Sequence, residues 1–294
     1  MSNLNDYYDF IKRLQLLISK RPELITTTLS NIFSMRLIGN KTHGDLAEIG
    51  ISEFINQFMY DFKSKHVGKD LFRSKEHEED ILVINELTNV NIPISLKAYG
   101  TGPLQLSTDK DSKLYTEVKK LFNNNPHIID KKEIITRILN LDVIKNSTNI
   151  NVMPLIYNEN DNKCNIMIFD YEKALKEINK IVFVDTNEIY NCDTKSIDNG
   201  RRKHPVIQFF NEDNKYIFEI RYGGKTANAL QRGLWTNTQR ASDYFISITG
   251  WINYKHNKTL VEVFSLALLA EEKIHKTIKE ELQTHINTLR DNKE

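Results

Sequence analysis

The chain has little that would tie it to an oxidising compartment, a membrane or a bulk polyanion. Its two cysteines, Cys164 and Cys192, stand in no C-x-x-C spacing, which argues against a disulfide framework and a cysteine-ligated zinc. No run approaches the roughly 20 apolar residues that span a bilayer. The opening MSNLNDYYDFIKRLQ carries no apolar signal segment, so a soluble, cytoplasmic protein is expected. Charge of one sign is also missing: 40 basic residues stand against 39 acidic ones, a net +1. Any polyanionic partner must therefore be met by a local patch. The eight histidines show no H-E-x-x-H or HNH-like spacing, no glycine pair leads into Gly-Lys-Ser/Thr, and no G-x-S-x-G is present. These absences disfavour zinc hydrolysis, triphosphate binding and a serine hydrolase.

What is present is a chain of 294 residues, 40% of them hydrophobic, enough for one large domain or two modest ones with a real core. Residues 5 to 38 carry two helical patterns broken near Pro22. A third helix is expected from Ile51, Phe54, Ile55, Phe58, Met59 and Phe62, ending near Gly68. From about 80 to 107 the runs DILVI, IPISLKAY and PLQLS read as a small β-meander, followed by helices near 111–123 and 131–140. The second half alternates short strands (NVMPLIY, CNIMIFD, KIVFVD, HPVIQFF, KYIFEIRY) with polar turns, and a final amphipathic helix runs from about 259 to 288. The expected architecture is mixed α/β, a central mixed sheet flanked by helices with a strand-rich second lobe. A division into 1–145 and 146–294 is drawn, with one continuous domain as the alternative.

A single lysine interrupts the apolar run IPISLKAYG. Side chains alternate along a strand, so Ser95, Lys97 and Tyr99 share one face. Asp80 stands at the mouth of the preceding strand, and a hairpin of this length brings it close to Lys97. Upstream, Glu48 falls on the apolar stripe of its own helix, where a carboxylate needs a partner. Carboxylates that hold a divalent cation, with a lysine near an attacking water, are what phosphodiester hydrolysis requires. Plainer readings stand beside this one. Thr42 and Asp45 match a capping box, Glu76 and Glu78 suit a solvated loop, and Lys97 could guard an edge strand.

The order Asp80, fourteen residues, Ser95-Leu96-Lys97, with a helix-borne acid before it, resembles the Asp…(Glu/Asp)-x-Lys signature of type II restriction endonucleases of the PD-(D/E)xK superfamily. HGDLAEIGISEFINQF, GKDLFRSKEHEEDILVI and ISLKAYGTGPLQLSTDK resemble such an enzyme over about residues 43 to 111. The resemblance implies a restriction-endonuclease-like core, Mg²⁺-dependent cleavage of double-stranded DNA at a specific sequence, and a homodimer. Asp80 and Glu48 would bind metal, Lys97 would position the water, and Ser95 would order the site. Ser95 departs from the pattern, standing where a second carboxylate is usual. The missing acid is then Glu48, Asp109 or Asp111, with Glu48 preferred because it falls on a buried stripe. The rival expectations are a structure-selective or repair nuclease with the same site, and a non-catalytic DNA-binding protein whose acids and Lys97 form an ion-pair network.

The local patch lies in FEIRYGGKTANALQRGLWTNTQRASDYF. From Ile220 to Ser242 it holds Arg221, Lys225, Arg232 and Arg240 and no acid, interleaved with Asn228, Gln231, Asn237 and Gln239. Such amides pair with adenine edges and arginines with guanine. Gly223 and Gly224 would let backbone approach a phosphate, while Leu234 and Trp235 read as core. Arg201 and Arg202 in NGRRKH suit phosphate contact, and Gln105, Ser107 and Thr108 are placed to meet phosphate or a base edge. The stripe Leu260, Val263, Phe264, Ala267 and Leu268 is either core or a dimer surface.

Overall fold

The computed structural model describes residues 2–38, 43–67, 79–100, 104–107, 113–122, 127–148, 151–222 and 232–263, and positions 265–266, 276–277, 280–281 and 283–284. The fold is mixed α/β, with helices flanking a sheet that holds parallel and antiparallel strands. The first two helical patterns form α1 (Ser2–Lys20) and α2 (Pro22–Arg36). Pro22 has no N–H to give, so it opens a helix rather than continuing one. In α3 (His43–Phe58) the buried residues are Ala47, Glu48, Ile51, Ser52, Phe54 and Ile55. The helix expected to reach Gly68 stops at Phe58, because Asp61 turns left-handed (φ 66°) and Phe62 opens the strand β1 (Phe62–His66). Phe62 fits helical and strand spacing alike, and Asn56 decides between them. Its amide donates to Ser64 O (3.0 Å) and accepts from Ser64 N–H (2.7 Å), taking the place of a neighbouring strand.

The hairpin of β2 (Ile81–Asn85) and β3 (Val90–Tyr99) forms as expected, with Ile81 opposite Ile94. Its turn is held twice. Asn89 adopts φ 57°, and the Asp6 carboxylate of α1 accepts from Asn85 Nδ2 (2.8 Å) and Thr88 Oγ1 (2.6 Å). That grip fixes the register on which the position of Asp80 depends. The meander does not extend to PLQLS: β4 (Leu104–Ser107) leaves for another sheet, where Leu104 is buried among different apolar neighbours.

Next come α4 (Leu114–Lys120), β5 (Ile128–Ile129), α5 (Lys132–Leu139) and α6 (Asp142–Thr148), leading to β6 (Asn151–Asn158) and β7 (Lys163–Phe169). Beyond them lie α7 (Tyr171–Glu177), β8 (Lys180–Val184), β9 (Glu188–Asn191), β10 (Ser196–Asn199), β11 (Val206–Phe210), β12 (Tyr216–Tyr222), β13 (Arg232–Thr236), β14 (Phe245–Ser247) and β15 (Ile252–Asn253). The first sheet runs β1-β2-β3-β6-β7-β14, with β15 also on β7, and β6 is parallel to β3. The second runs β4-β13-β12-β11-β8-β5, and β9 pairs with β10 apart from both.

Two cores result. Helices α1 to α3 cover one face of the first sheet, burying Phe10, Phe33, Ile55, Ile81 and Ile94, each worth about 1.5–3 kcal/mol. The second sheet packs Phe209, Phe218 and Ile220 with Val152 and Phe169 of the first. Strand β6 serves both cores, Val152 in one and Met153 and Leu155 in the other, and is buried from Val152 to Ile156. The first sheet therefore continues across position 145. At the C-terminal end, residues 258–263 are helical, and Val263 is exposed; Phe264, Ala267 and Leu268 lie outside the described residues.

Candidate active site

Asp80 N–H donates to Ile94 O (2.9 Å), which sets the residue beside the middle of β3. From there one oxygen, Oδ2, accepts from Ser95 Oγ (3.0 Å), Leu96 N (2.6 Å) and Lys97 Nζ (3.5 Å). The backbone and serine bonds fix the carboxylate, while the lysine reaches it more loosely and keeps an interaction besides this one. Ser95 is fully buried, whereas the side chains of Asp80 and Lys97 are 21% and 26% exposed. The pair is thus held from behind and open in front.

Glu48 approaches from α3. Its Oε2 lies 3.0 Å from His66 Nε2, on β1 next to Val67, whose N–H donates to Asp80 O (3.0 Å). Burial pushes the Glu48 carboxyl above its ordinary pKa, the His66 bond pulls it back down, and the negative charge of Asp80 raises it again. Two carboxylates close enough to feel each other are a costly arrangement that a cation would relieve. Among the described residues no three His, Cys, Asp or Glu side chains converge as a metal cage. Mg²⁺ does not require one, since it commonly takes one or two carboxylates and completes its shell with water and phosphate oxygen. Glu48 and Asp80 fit that smaller demand. Asp109 and Asp111, the other candidates for the second acid, lie outside the described residues, as does Thr42 of the expected capping box.

The basic patch is built around a buried acid. Glu219, 1% exposed, accepts from Gln208 Nε2 (2.9 Å) and pairs with Arg221 Nε. The Arg221 guanidinium lies 4.8 Å from the Trp235 ring centre, and that of Arg240 lies 3.9 Å from the ring centre of Tyr216. Tyr216 Oη donates to Trp235 O (3.2 Å), so both platforms belong to one cluster. Burial lowers the pKa of the half-buried Arg202, Glu219 partly restores it, and the like charges of Arg221 and Arg240 depress it further. Three guanidiniums against one carboxylate leave a local charge of +2, an arrangement that phosphate would relieve.

The remaining expected contacts divide. Asn237 accepts through Oδ1 from Gln239 N (3.0 Å) and Arg240 N (3.1 Å), so part of its amide shapes the turn, while Gln239 and Arg201 are exposed. Gln105 sits on β4 opposite Trp235. Leu234 is buried as expected. Lys225, Asn228, Gln231, Gly223 and Gly224 lie outside the described residues, and of Arg232 only the backbone is described, at the start of β13.

Two residues escaped the sequence reading. His66 lies in the stretch expected to be helical as far as Gly68, but it follows Phe62 and Ser64 on a strand and so falls beside Asp80. Glu219 interrupts an apolar run just as Lys97 does, a signal that was available and unused. No protein-family model and no curated protein matches the chain.

Proposed function

We propose that the chain is a Mg²⁺-dependent DNA endonuclease of the restriction type, cutting duplex DNA at a specific sequence. The observation that carries the reading is the Asp80 carboxylate, fixed by Ser95 and Leu96, reached by Lys97, and close enough to Glu48 to raise its pKa. Asp80 and Glu48 would hold the ion, which when bound supplies the Lewis acidity that phosphodiester hydrolysis needs. The Lys97 ammonium orients the attacking water and answers charge that develops on the phosphate. Ser95, fully buried, aims Asp80 and does not meet substrate. Arg202, Arg221 and Arg240 bind the DNA backbone, with Arg201 and Gln105 flanking them. Paired cuts in a duplex need two such sites, hence a homodimer; the exposed Val263 and Leu266 of the C-terminal helical segment support a surface for it.

The test is incubation of purified protein with long unmethylated DNA, with Mg²⁺ or EDTA, beside Lys97→Ala. Discrete fragments that need Mg²⁺ and vanish in the variant are expected. Random degradation lost in the variant replaces sequence reading with structure-selective cleavage by the same site. No cleavage of several unmethylated genomes with Mg²⁺ or Mn²⁺ sinks the nuclease reading and leaves a DNA-binding protein.

A further inference from the structure

An open cleft of about 820 Å³ lies off the ends of β3 and β6, between the first sheet and the turn after β13. Tyr99 stands at its back, two residues beyond Lys97 on the same strand face, about 7 Å along the strand. Its hydroxyl reaches Thr238 Oγ1 (3.5 Å) on the opposite wall. The rim carries Trp251, 57% exposed, with Lys163 Nζ 5.6 Å from its ring centre on one face and the other face left for a ligand, and the exposed amides of Asn160 and Gln239.

The cleft's charge distinguishes it from the arginine cluster. Among the described residues its charged lining residues are Glu159 and Lys163: Lys163 is paired with Asp161 (2.7 Å), while Glu159 lies 2.9 Å from His43, whose pKa burial lowers, so the carboxylate keeps its negative charge. A lining whose described residues hold no unanswered positive charge gives a phosphate no reason to enter. Amides and exposed aromatic rings instead suit a neutral, flat, hydrogen-bonding group, and a nucleobase is one. Shape narrows this further. Base edges within a duplex lie at the floor of a groove and are reached by a projecting helix or ribbon, so a concave cleft can take a base only after it has left the stack.

Resting on the DNA-binding reading above, we propose that this cleft receives a single unstacked nucleobase, with Trp251 as its stacking plate and Asn160 and Gln239 reading its edge. The arginine cluster would hold the flanking backbone. The base would then sit one short strand step from the catalytic lysine.

Binding in EDTA tests this without hydrolysis. Two labelled duplexes would be compared, one fully paired and one with a bulged 2-aminopurine, using wild type, Trp251→Ala and Trp251→Phe. Wild type should prefer the bulged duplex by roughly tenfold, because its base is already out of the stack. Trp251→Ala should lose most of that preference and relieve quenching of the probe, and Trp251→Phe should restore both. Equal affinity of wild type for the two duplexes overturns the proposal, as does a preference that survives Trp251→Ala. Failure of wild type to bind either duplex overturns both this site and the DNA reading. The expected pattern without cleavage in Mg²⁺ supports the base site and sinks only the nuclease reading.

Discussion

Asp80 and Glu219 are both acids that interrupt apolar strand surroundings, and the fold treats them in opposite ways. Glu219 is enclosed, 1% exposed, and answered by an amide and a guanidinium. Asp80 is answered from behind by Ser95 and Leu96 and left partly open, with Lys97 at the mouth. A buried acid with its needs met by protein is scaffold, since any ligand would have to displace good bonds in a low-dielectric setting. An acid anchored on one side only keeps capacity for a cation or a water. The contrast also sorts the arginines: Glu219 fixes Arg221, and the positive charge it does not cancel is left for an anionic group.

The largest expected effect would break the contrast outright. Glu219→Ala removes the buried partner of Arg221 and should destabilise the fold by about 3–5 kcal/mol, lowering Tm by about 10 °C, whereas Asp80→Asn should leave Tm within a few degrees. Equal losses of Tm in the two variants would erase the distinction between scaffold and site. Next in size, Asp80→Asn and Lys97→Ala should each lower the cleavage rate about 10²–10³-fold in steady-state assays with the fold intact by circular dichroism. A smaller change is expected for Ser95→Ala, which strips one of three donors from Asp80. It should cost about 1–3 kcal/mol in chemical denaturation and reduce cleavage by less than Lys97→Ala does.

The smallest effects concern protons. The His66 bond holds down a Glu48 carboxyl that burial raises, so His66→Ala should move the acid limb of the cleavage pH profile to higher pH. An acid limb that stays in place would remove Glu48 from the site. Folding raises the Glu48 pKa, so the stability gained from its protonated form is complete below the pKa of the unfolded carboxyl and is lost as pH rises through the folded one. Tm in EDTA should fall across that window, and Mg²⁺ should restore it only above.

The hairpin is where sequence reading reached furthest. Alternation in IPISLKAYG and the spacing back to Asp80 placed Ser95, Lys97 and Asp80 together, and they meet within 3.5 Å. That inference needed only a tight antiparallel pair, whose register is set by a short turn. The burial of Glu48 was legible from helical periodicity. Its partner was not, because the continuing apolar period carried the helix through Phe62 and hid β1. PLQLS was misplaced for a related reason: strand propensity says that a segment pairs, not with which sheet.

The sequence by itself determined local matters: where α1 and α2 break, which residues share a face of β3, and that charge had to be read in patches. The tertiary structure alone decided that His66 and Glu48 meet, that β4 joins β13, that Arg202, Arg221 and Arg240 gather around Glu219, and that a cleft opens off the ends of β3 and β6. Periodicity and turn chemistry act over a few residues, so they leave their record in the sequence. Contacts between separate elements depend on how those elements pack, and no short window of sequence contains that information.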